Sequence, residues 1–457
     1  MVETGNSASS RDIACLVHPY TNLETHKSAG PQIITEGHGI YVRDEEGKEY
    51  IEGMAGLWCA ALGFGEERLV AAAERQMRTL PFYHVFASKS HLPAIDLAER
   101  LIEMAPVPMS KVFFANSGSE ATDSVVKLVW YYNNALGRPE KKKIISRQRA
   151  YHGVTVAAAS MTGLPFNHRD FDLPIDRIIH TDCPHHYRNA EDGESEEEFS
   201  ARLAGNLQSL IEAEGPETIA AFIAEPVMGA GGVIVPPKGY FEAIQTILKK
   251  HDILFIADEV ICGFGRTGNM FATETFDLEP DMITMAKALS SSYLPISAVM
   301  INERVADVVY ENSGRIGSFG HGYTYSAHPV SAAVALETLA IYQERDIVGH
   351  VRSVMGHFQA RLGALSDHPL VGEARGIGLV GAIELVADKA SKESFAPSAS
   401  IGFHAAKQCA ERGLILRAIP GDVMTLCPPL VITEAEIDEL FGRLEAALAD
   451  TLEFLGA

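Results

Sequence analysis

Cysteine is scarce in this 457-residue chain. The six residues, Cys15, Cys59, Cys183, Cys262, Cys409 and Cys427, form no C-x-x-C pair, which fits neither a zinc ribbon nor a small disulfide-stapled fold. Bases are in deficit as well: 38 Lys and Arg face 60 Asp and Glu, a net charge of −22. Such a field repels phosphate backbones, so nucleic acid is not an expected partner. Long apolar runs are also lacking. The most apolar stretch, 219–237, is interrupted by Glu225, Pro226, Gly229, Gly231 and Gly232, so it cannot cross a bilayer as a plain helix and no membrane is expected. Met1 to Arg11 is polar and carries no apolar core of signal-peptide length, so the expectation is a soluble cytoplasmic protein with reduced thiols.

What is present is an ordinary globular composition, 47% hydrophobic and 21% charged, in a chain long enough for two or three domains. Residues 1–65 are rich in turn formers. They hold two short alternating runs, Gly39 to Asp44 and Glu49 to Glu52 around Glu46-Gly47, that suggest a hairpin. Residues 66–330 alternate helical periods with apolar, β-rich runs: Lys111 to Phe114, Lys143 to Ser146, Ala221 to Ala224, Ile253 to Ala257 and Met282 to Ala286. Runs that are apolar throughout belong to strands covered on both faces, so the fold class is α/β with a mostly parallel sheet. Residues 331–457 read as a smaller α+β domain. It has a helix from Pro329 to about Arg345, a further helix, β-like segments at Gly378 to Leu385 and Leu414 to Ala418, and a last helix from Thr433. The charge run Glu191 to Glu198, with Ser195 as an N-cap, reads as an acidic helix start.

Ligands of such sheets bind beyond the carboxyl ends of the strands, and four places there carry chemistry. Ser117-Gly118-Ser119 opens a helix whose apolar face is Ala121, Val125, Leu128, Val129 and Tyr132, with Gly137 as its stop. Free amides, two hydroxyls and a glycine make a phosphate cup, although the same residues also read as an ordinary Ser cap. Tyr151-His152-Gly153 follows the next run and offers a ring and an imidazole to a planar heterocycle, or simply packing. Asp258 ends a buried run and needs a positive partner, either a structural arginine or a ligand. Lys287, after Met282 to Ala286, would be desolvated and its amine made nucleophilic unless it reaches back to solvent. A phosphate cup, a stacking aromatic, an aspartate for a pyridinium nitrogen and a Schiff-base lysine are together what pyridoxal 5′-phosphate requires.

With these residues in place, the chain closely resembles the class III aminotransferases, pyridoxal-phosphate enzymes of fold type I (aspartate aminotransferase-like). Within them it is most similar to the ω-transaminase, or amine:pyruvate, group. The likeness runs from about Gly37 to Leu448 and is strongest at 116–121, 151–153, 224–232, 257–268, Lys287 and 322–329. It implies a large cofactor-binding domain at 66–330, a small domain at 331–457, and an N-terminal segment that joins the small domain and the dimer contacts. It also implies that Ser117, Gly118 and Ser119 hold the phosphate, that Tyr151 lines the ring and that Val260 packs on its other face. Asp258 would pair with the ring nitrogen and Lys287 would be the catalytic lysine. Thr324 would reach the phosphate of the neighbouring subunit, so a homodimer is implied, with dimers that can pair into a tetramer. His152, Glu225 and Arg266 fall in family motifs and are read as supporting residues.

For the substrates, an amine donor and a keto acid, the resemblance implies Trp58 in the larger pocket, Phe86 as an aromatic gate and Arg417 as the mobile arginine for an acceptor's carboxylate. Family members that use 2-oxoglutarate carry a glutamate where this chain has Ala230. Its absence favours pyruvate as acceptor, with ω-amino acid transaminase activity on another keto acid as the alternative. Ala327, where many relatives carry glycine, changes little. Two further readings stand beside this one. Gly263, Gly265 and Gly268 match the spacing of a dinucleotide loop, which would make the protein a nicotinamide oxidoreductase if a helix followed directly. The loop Thr181 to His186 looks metal-like, yet it also resembles the family's ordinary loop there, and no metal is expected.

Overall fold

Five apolar runs become neighbours in one seven-stranded sheet, ordered 111–115, 297–301, 282–285, 254–258, 219–224, 143–147, 178–181 in a computed structural model that describes residues 7–456. The four pairings from 282–285 across to 178–181 are parallel. Strand Ser297–Ile301 runs antiparallel between Lys111–Ala115 and Met282–Met285. Alternate residues of the central strands face two separate cores. Phe222, Phe255 and Ile283 pack on one side with Phe199 and Leu203. Ile223, Ile256 and Met282 pack on the other with Val125, Leu128 and Val129. This two-sided burial is why the runs show no polar alternation.

Local signals set the helix ends as expected. Ser117 Oγ accepts the Glu120 N–H at 3.2 Å while the Glu120 carboxylate accepts the Asn116 N–H at 2.7 Å, and helix Gly118–Ala135 ends just before Gly137, whose φ is +71°. Capping boxes start Glu196–Glu214 at Ser195 and Glu434–Phe454 at Thr433.

The hairpin Tyr41–Asp44/Glu49–Glu52 forms, joined on its outer edge by Ile34–His38 and on its inner edge by Leu414–Ile415, which pairs in parallel with Ile51 and Glu52. The segment expected as one strand at Leu414 to Ala418 is thus two. Arg417–Ile419 leaves that sheet for another, ordered 371–377, 380–385, 423–426, 417–419. No helix among the described residues is long and apolar enough to cross a membrane.

Candidate active site

Asp258 is the last residue of its strand and is buried. The partner that its burial demands is not Arg266, which donates instead to the carbonyls of Leu379 (3.0 Å) and Pro428 (2.6 Å). It is His152, whose Nδ1 lies 2.7 Å from Asp258 Oδ2. A carboxylate oxygen only accepts, so this pairing puts the proton on Nδ1. The Val260 N–H donates to the other oxygen at 3.1 Å, which leaves the aspartate fixed at both ends.

Lys287 follows the adjacent strand with φ +48°, a left-handed conformation costly for a residue with a side chain. The turn is held by the Tyr342 hydroxyl, which donates to the Ala288 carbonyl at 2.6 Å, and by Ser291 Oγ, which accepts the Leu62 N–H at 2.9 Å. Burial depresses the pKa of the lysine amine, with Asp258 opposing, a shift toward the nucleophilic form.

Between these groups lies a cavity of about 180 Å³, lined by Gly118, Ser119, Tyr151, Asp258, Val260 and Lys287, together with His152 and Glu225. Gly118 and Ser119 open the helix, so their amides have no intrahelical acceptor. Ser119 Oγ accepts the Val154 N–H at 3.0 Å and keeps its own proton to donate. At Gly153, φ is +126° and a Cβ would stand 2.5 Å from Ser119 Oγ, so glycine is required for this close approach. Glu225 is buried, which raises its pKa, and its carboxyl group accepts the N–H groups of Tyr151 and Gly229, each at 3.0 Å. It thereby anchors the backbone of Tyr151, which lines the cavity.

The remaining expected residues lie off this cavity. The Ser117 hydroxyl is engaged at the helix start. Trp58 is buried in a cluster with Val227, Ile261 and Val423, and Ile261 is shared with the cavity wall. Arg417 is half-buried and meets no carboxylate within ion-pair distance among the described residues. Phe86 and Thr324 are exposed and outside the cavity of their own chain.

The dinucleotide reading lacks its geometry, and the loop 181–186 does not bring its own histidines together. Gly263 to Gly268 is followed by a single helical turn, Ala272–Thr275, so the helix that a dinucleotide loop needs is missing there. In the loop 181–186, His185 bonds Glu373 at 2.8 Å and His186 bonds the Glu194 carbonyl at 2.9 Å, so the two imidazoles point to different partners.

Two residues near the site were not singled out from sequence. Tyr20 lies with its ring centroid 6.0 Å from the Arg417 guanidinium. Burial, and then the Tyr20 hydroxyl, raise the pKa of Tyr151. Tyr20 sits in a Pro-Tyr-Thr turn that carries no pattern. Glu52, 4% exposed, accepts the Gly56 N–H and braces the loop in which Ala55, Gly56 and Trp58 all have positive φ. An acid closing an apolar strand was a usable signal for Glu52, as it was for Asp258.

A family model, aminotransferase class III, matches residues 24–448. The chain belongs to the class III aminotransferases, of pyridoxal-phosphate fold type I, and is a transaminase whose cofactor is pyridoxal 5′-phosphate. It is 52% identical over 437 residues to γ-aminobutyrate transaminase 1 of Solanum lycopersicum (95% of this chain, 85% of that one). It is 51% identical over 422 residues to vanillin aminotransferase of Capsicum frutescens (92% of each). The ω-transaminase of Pseudomonas jessenii in complex with pyridoxamine phosphate superposes with a TM-score of 0.97 at 56% identity, covering 98% of this chain and 99% of that one. A W58M/F86L/R417L variant of a thermostable ω-transaminase, engineered for asymmetric synthesis of enantiopure bulky amines, is equally similar at TM-score 0.97 and 56% identity, covering 98% of this chain and all of the other.

The cavity fits the cofactor by its donor set. It holds a buried carboxylate aimed by an imidazole, a buried amine, and free amides at a helix start where an anion is stabilised.

Proposed function

We propose that the protein is an amine:pyruvate transaminase acting as a homodimer, with a primary amine or ω-amino acid as donor. The observation that carries the acceptor is Arg417, a half-buried guanidinium with no carboxylate partner among the described residues, and with alanine at position 230, where a neutralising glutamate would otherwise stand. Its planar fork binds the carboxylate of a small keto acid in a bidentate way. Trp58, Phe86 and Arg417 are also the residue types and numbers substituted in the variant engineered for bulky amines, which supports placing them around the substrate.

Pyridoxal phosphate supplies, when bound, an aldehyde for amine exchange and a ring that accepts electrons from the substrate carbon. Asp258, steered by His152, presents its carboxylate to the ring nitrogen. The amides of Gly118 and Ser119 and the Ser119 hydroxyl receive the phosphate. Lys287 Nζ would hold the cofactor and, as a free amine, would move the proton from the substrate carbon to the cofactor carbon that began as the aldehyde. Tyr151 and Val260 bracket the ring. Thr324 and Phe86, exposed in their own chain, serve the neighbouring subunit.

The 52% identity to a γ-aminobutyrate transaminase favours a second reading, in which an ω-amino acid such as 4-aminobutyrate is the donor and a keto acid other than pyruvate is the acceptor. The two are separated by following the visible absorption of the purified holoenzyme with 1-phenylethylamine or 4-aminobutyrate, and then with pyruvate or 2-oxoglutarate. Bleaching by 1-phenylethylamine and recovery with pyruvate is the expected result. Recovery only with 2-oxoglutarate overturns the first reading in favour of the second, and bleaching only by 4-aminobutyrate with recovery by pyruvate narrows the donor of the first to an ω-amino acid.

A further inference from the structure

Away from the cleft, the N-terminal arm brings three side chains to one point. Helix Ala8–Cys15 ends, the chain turns through His18-Pro19-Tyr20, and helix Leu23–Ala29 returns beside it. His18 Nε2 then lies 2.8 Å, and His26 Nε2 3.1 Å, from the same oxygen, Oδ1 of Asp12. The two imidazole rings stand 4.2 Å apart, centroid to centroid. Side-chain exposures are 25% for His18, 9% for His26 and 19% for Asp12, so the three groups are largely withdrawn from water. Among the described residues, Asp12 meets no lysine or arginine at ion-pair distance, and these two imidazoles are its side-chain partners.

Two of the three donor spacings come close to those of a coordination shell. All three donor atoms lie within 4.8 Å of one another. In a tetrahedral zinc site with bonds of about 2.0–2.1 Å, neighbouring donors stand roughly 3.3 Å apart. The present 2.8 and 3.1 Å therefore need to open by only a few tenths of an ångström for an ion to replace the two shared protons. Two imidazole nitrogens and one carboxylate oxygen suit Zn²⁺ or Ni²⁺ and not the all-oxygen shells of Ca²⁺ and Mg²⁺. The other converging group, His185 with Glu373 and Glu384, differs because Arg375 and Arg188 already occupy its carboxylates.

We propose that Asp12, His18 and His26 form a binding site for a borderline divalent transition-metal ion, Zn²⁺ foremost, that fastens the N-terminal arm. The fourth position is left to water. The consequence reaches the cleft through Tyr20, two residues beyond His18. Its hydroxyl accepts from Asn167 Nδ2 at 2.6 Å, and its ring packs edge-on to Phe166 at 6.2 Å. An ion tying the two helices together holds this turn, and with it Tyr20, beside Arg417 and Tyr151.

The test is calorimetric titration of the holoenzyme with zinc sulfate, comparing the wild type with His26→Gln and Asp12→Asn. Glutamine at 26 keeps an N–H donor for Asp12 and so preserves a purely hydrogen-bonded cluster while removing a metal ligand. The expected result is one ion per chain beyond those bound by the variants, with affinity at that site lowered at least about tenfold by either substitution. Zinc should also slow tryptic cleavage at Arg11 and Lys27 in the wild type and leave it unchanged in His26→Gln. Identical isotherms for wild type and variants, or no saturable uptake below roughly 1 mM zinc, would overturn the site.

Discussion

Arg417 and Glu52 are both ionisable groups withdrawn from water near the site, and they call for opposite treatment. Arg417 has no acidic partner among the described residues, so Arg417→Ala should slow the half-reaction with pyruvate at least about tenfold more than the half-reaction with an apolar amine. Single-turnover absorbance changes in each direction measure this, and equal losses would make the arginine structural. Glu52 is pushed up from 4.5 to about 8 by burial. The folded state therefore keeps a proton that the unfolded chain releases above its own pKa. This contribution is complete below about pH 4.5 and is lost as pH rises toward 8, amounting to roughly 5 kcal/mol at most. Thermal unfolding of the wild type should show a midpoint that falls between pH 5 and 8. Glu52→Gln, which stays neutral and keeps an acceptor for the Gly56 N–H, should flatten that fall.

At the scale of elements, the residues legible in the sequence are those that directly follow an apolar run: Ser117 to Ser119 after 111–115, Tyr151 after 143–147, Asp258 ending 254–258, and Lys287 after 282–285. Strand polarity places them at one edge, and the family motif adds their expected roles. What stayed illegible was set by partners distant in the chain. Ser297–Ile301 follows the lysine turn so closely that its own strand was not separated, and only its pairing with Lys111–Ala115 reveals it. Leu414 to Ile419 divides because its two ends meet different neighbours, Glu49–Glu52 and Val423–Leu426. One prediction belongs here. Gly153→Ala places a Cβ against Ser119 at the helix opening, in a conformation that side chains disfavour, and should weaken cofactor affinity at least about tenfold while far-ultraviolet dichroism is unchanged. Unaltered cofactor binding would remove the helix start from the phosphate site.

For the whole molecule, Phe86 and Thr324 lie exposed and off their own cavity, a placement that fits the role toward a neighbouring chain that the resemblance implied for Thr324. If Thr324 serves the neighbour, a mixed dimer of Lys287→Ala and Thr324→Val chains contains one site lacking both groups and one site with both intact. Co-expressed and purified as the mixed species, it should recover about half of wild-type activity at limiting cofactor, where Lys287→Ala alone has none and Thr324→Val alone is impaired. A mixed dimer no better than the mean of its parents would show that each chain completes its own site.

The pairing of the N-terminal hairpin with Leu414–Ile415 bears on how the chain is made. Ile51 and its partner Leu414 are 363 positions apart, so at about 5–20 residues per second the hairpin waits roughly 20–70 s on the ribosome before its inner edge can be covered. During that interval Glu49–Glu52 is an open strand edge, guarded by the two glutamates at its ends. A nascent chain stalled anywhere before residue 414 carries that edge unpaired, together with the strained loop that holds Trp58, and is a natural client for a chaperone.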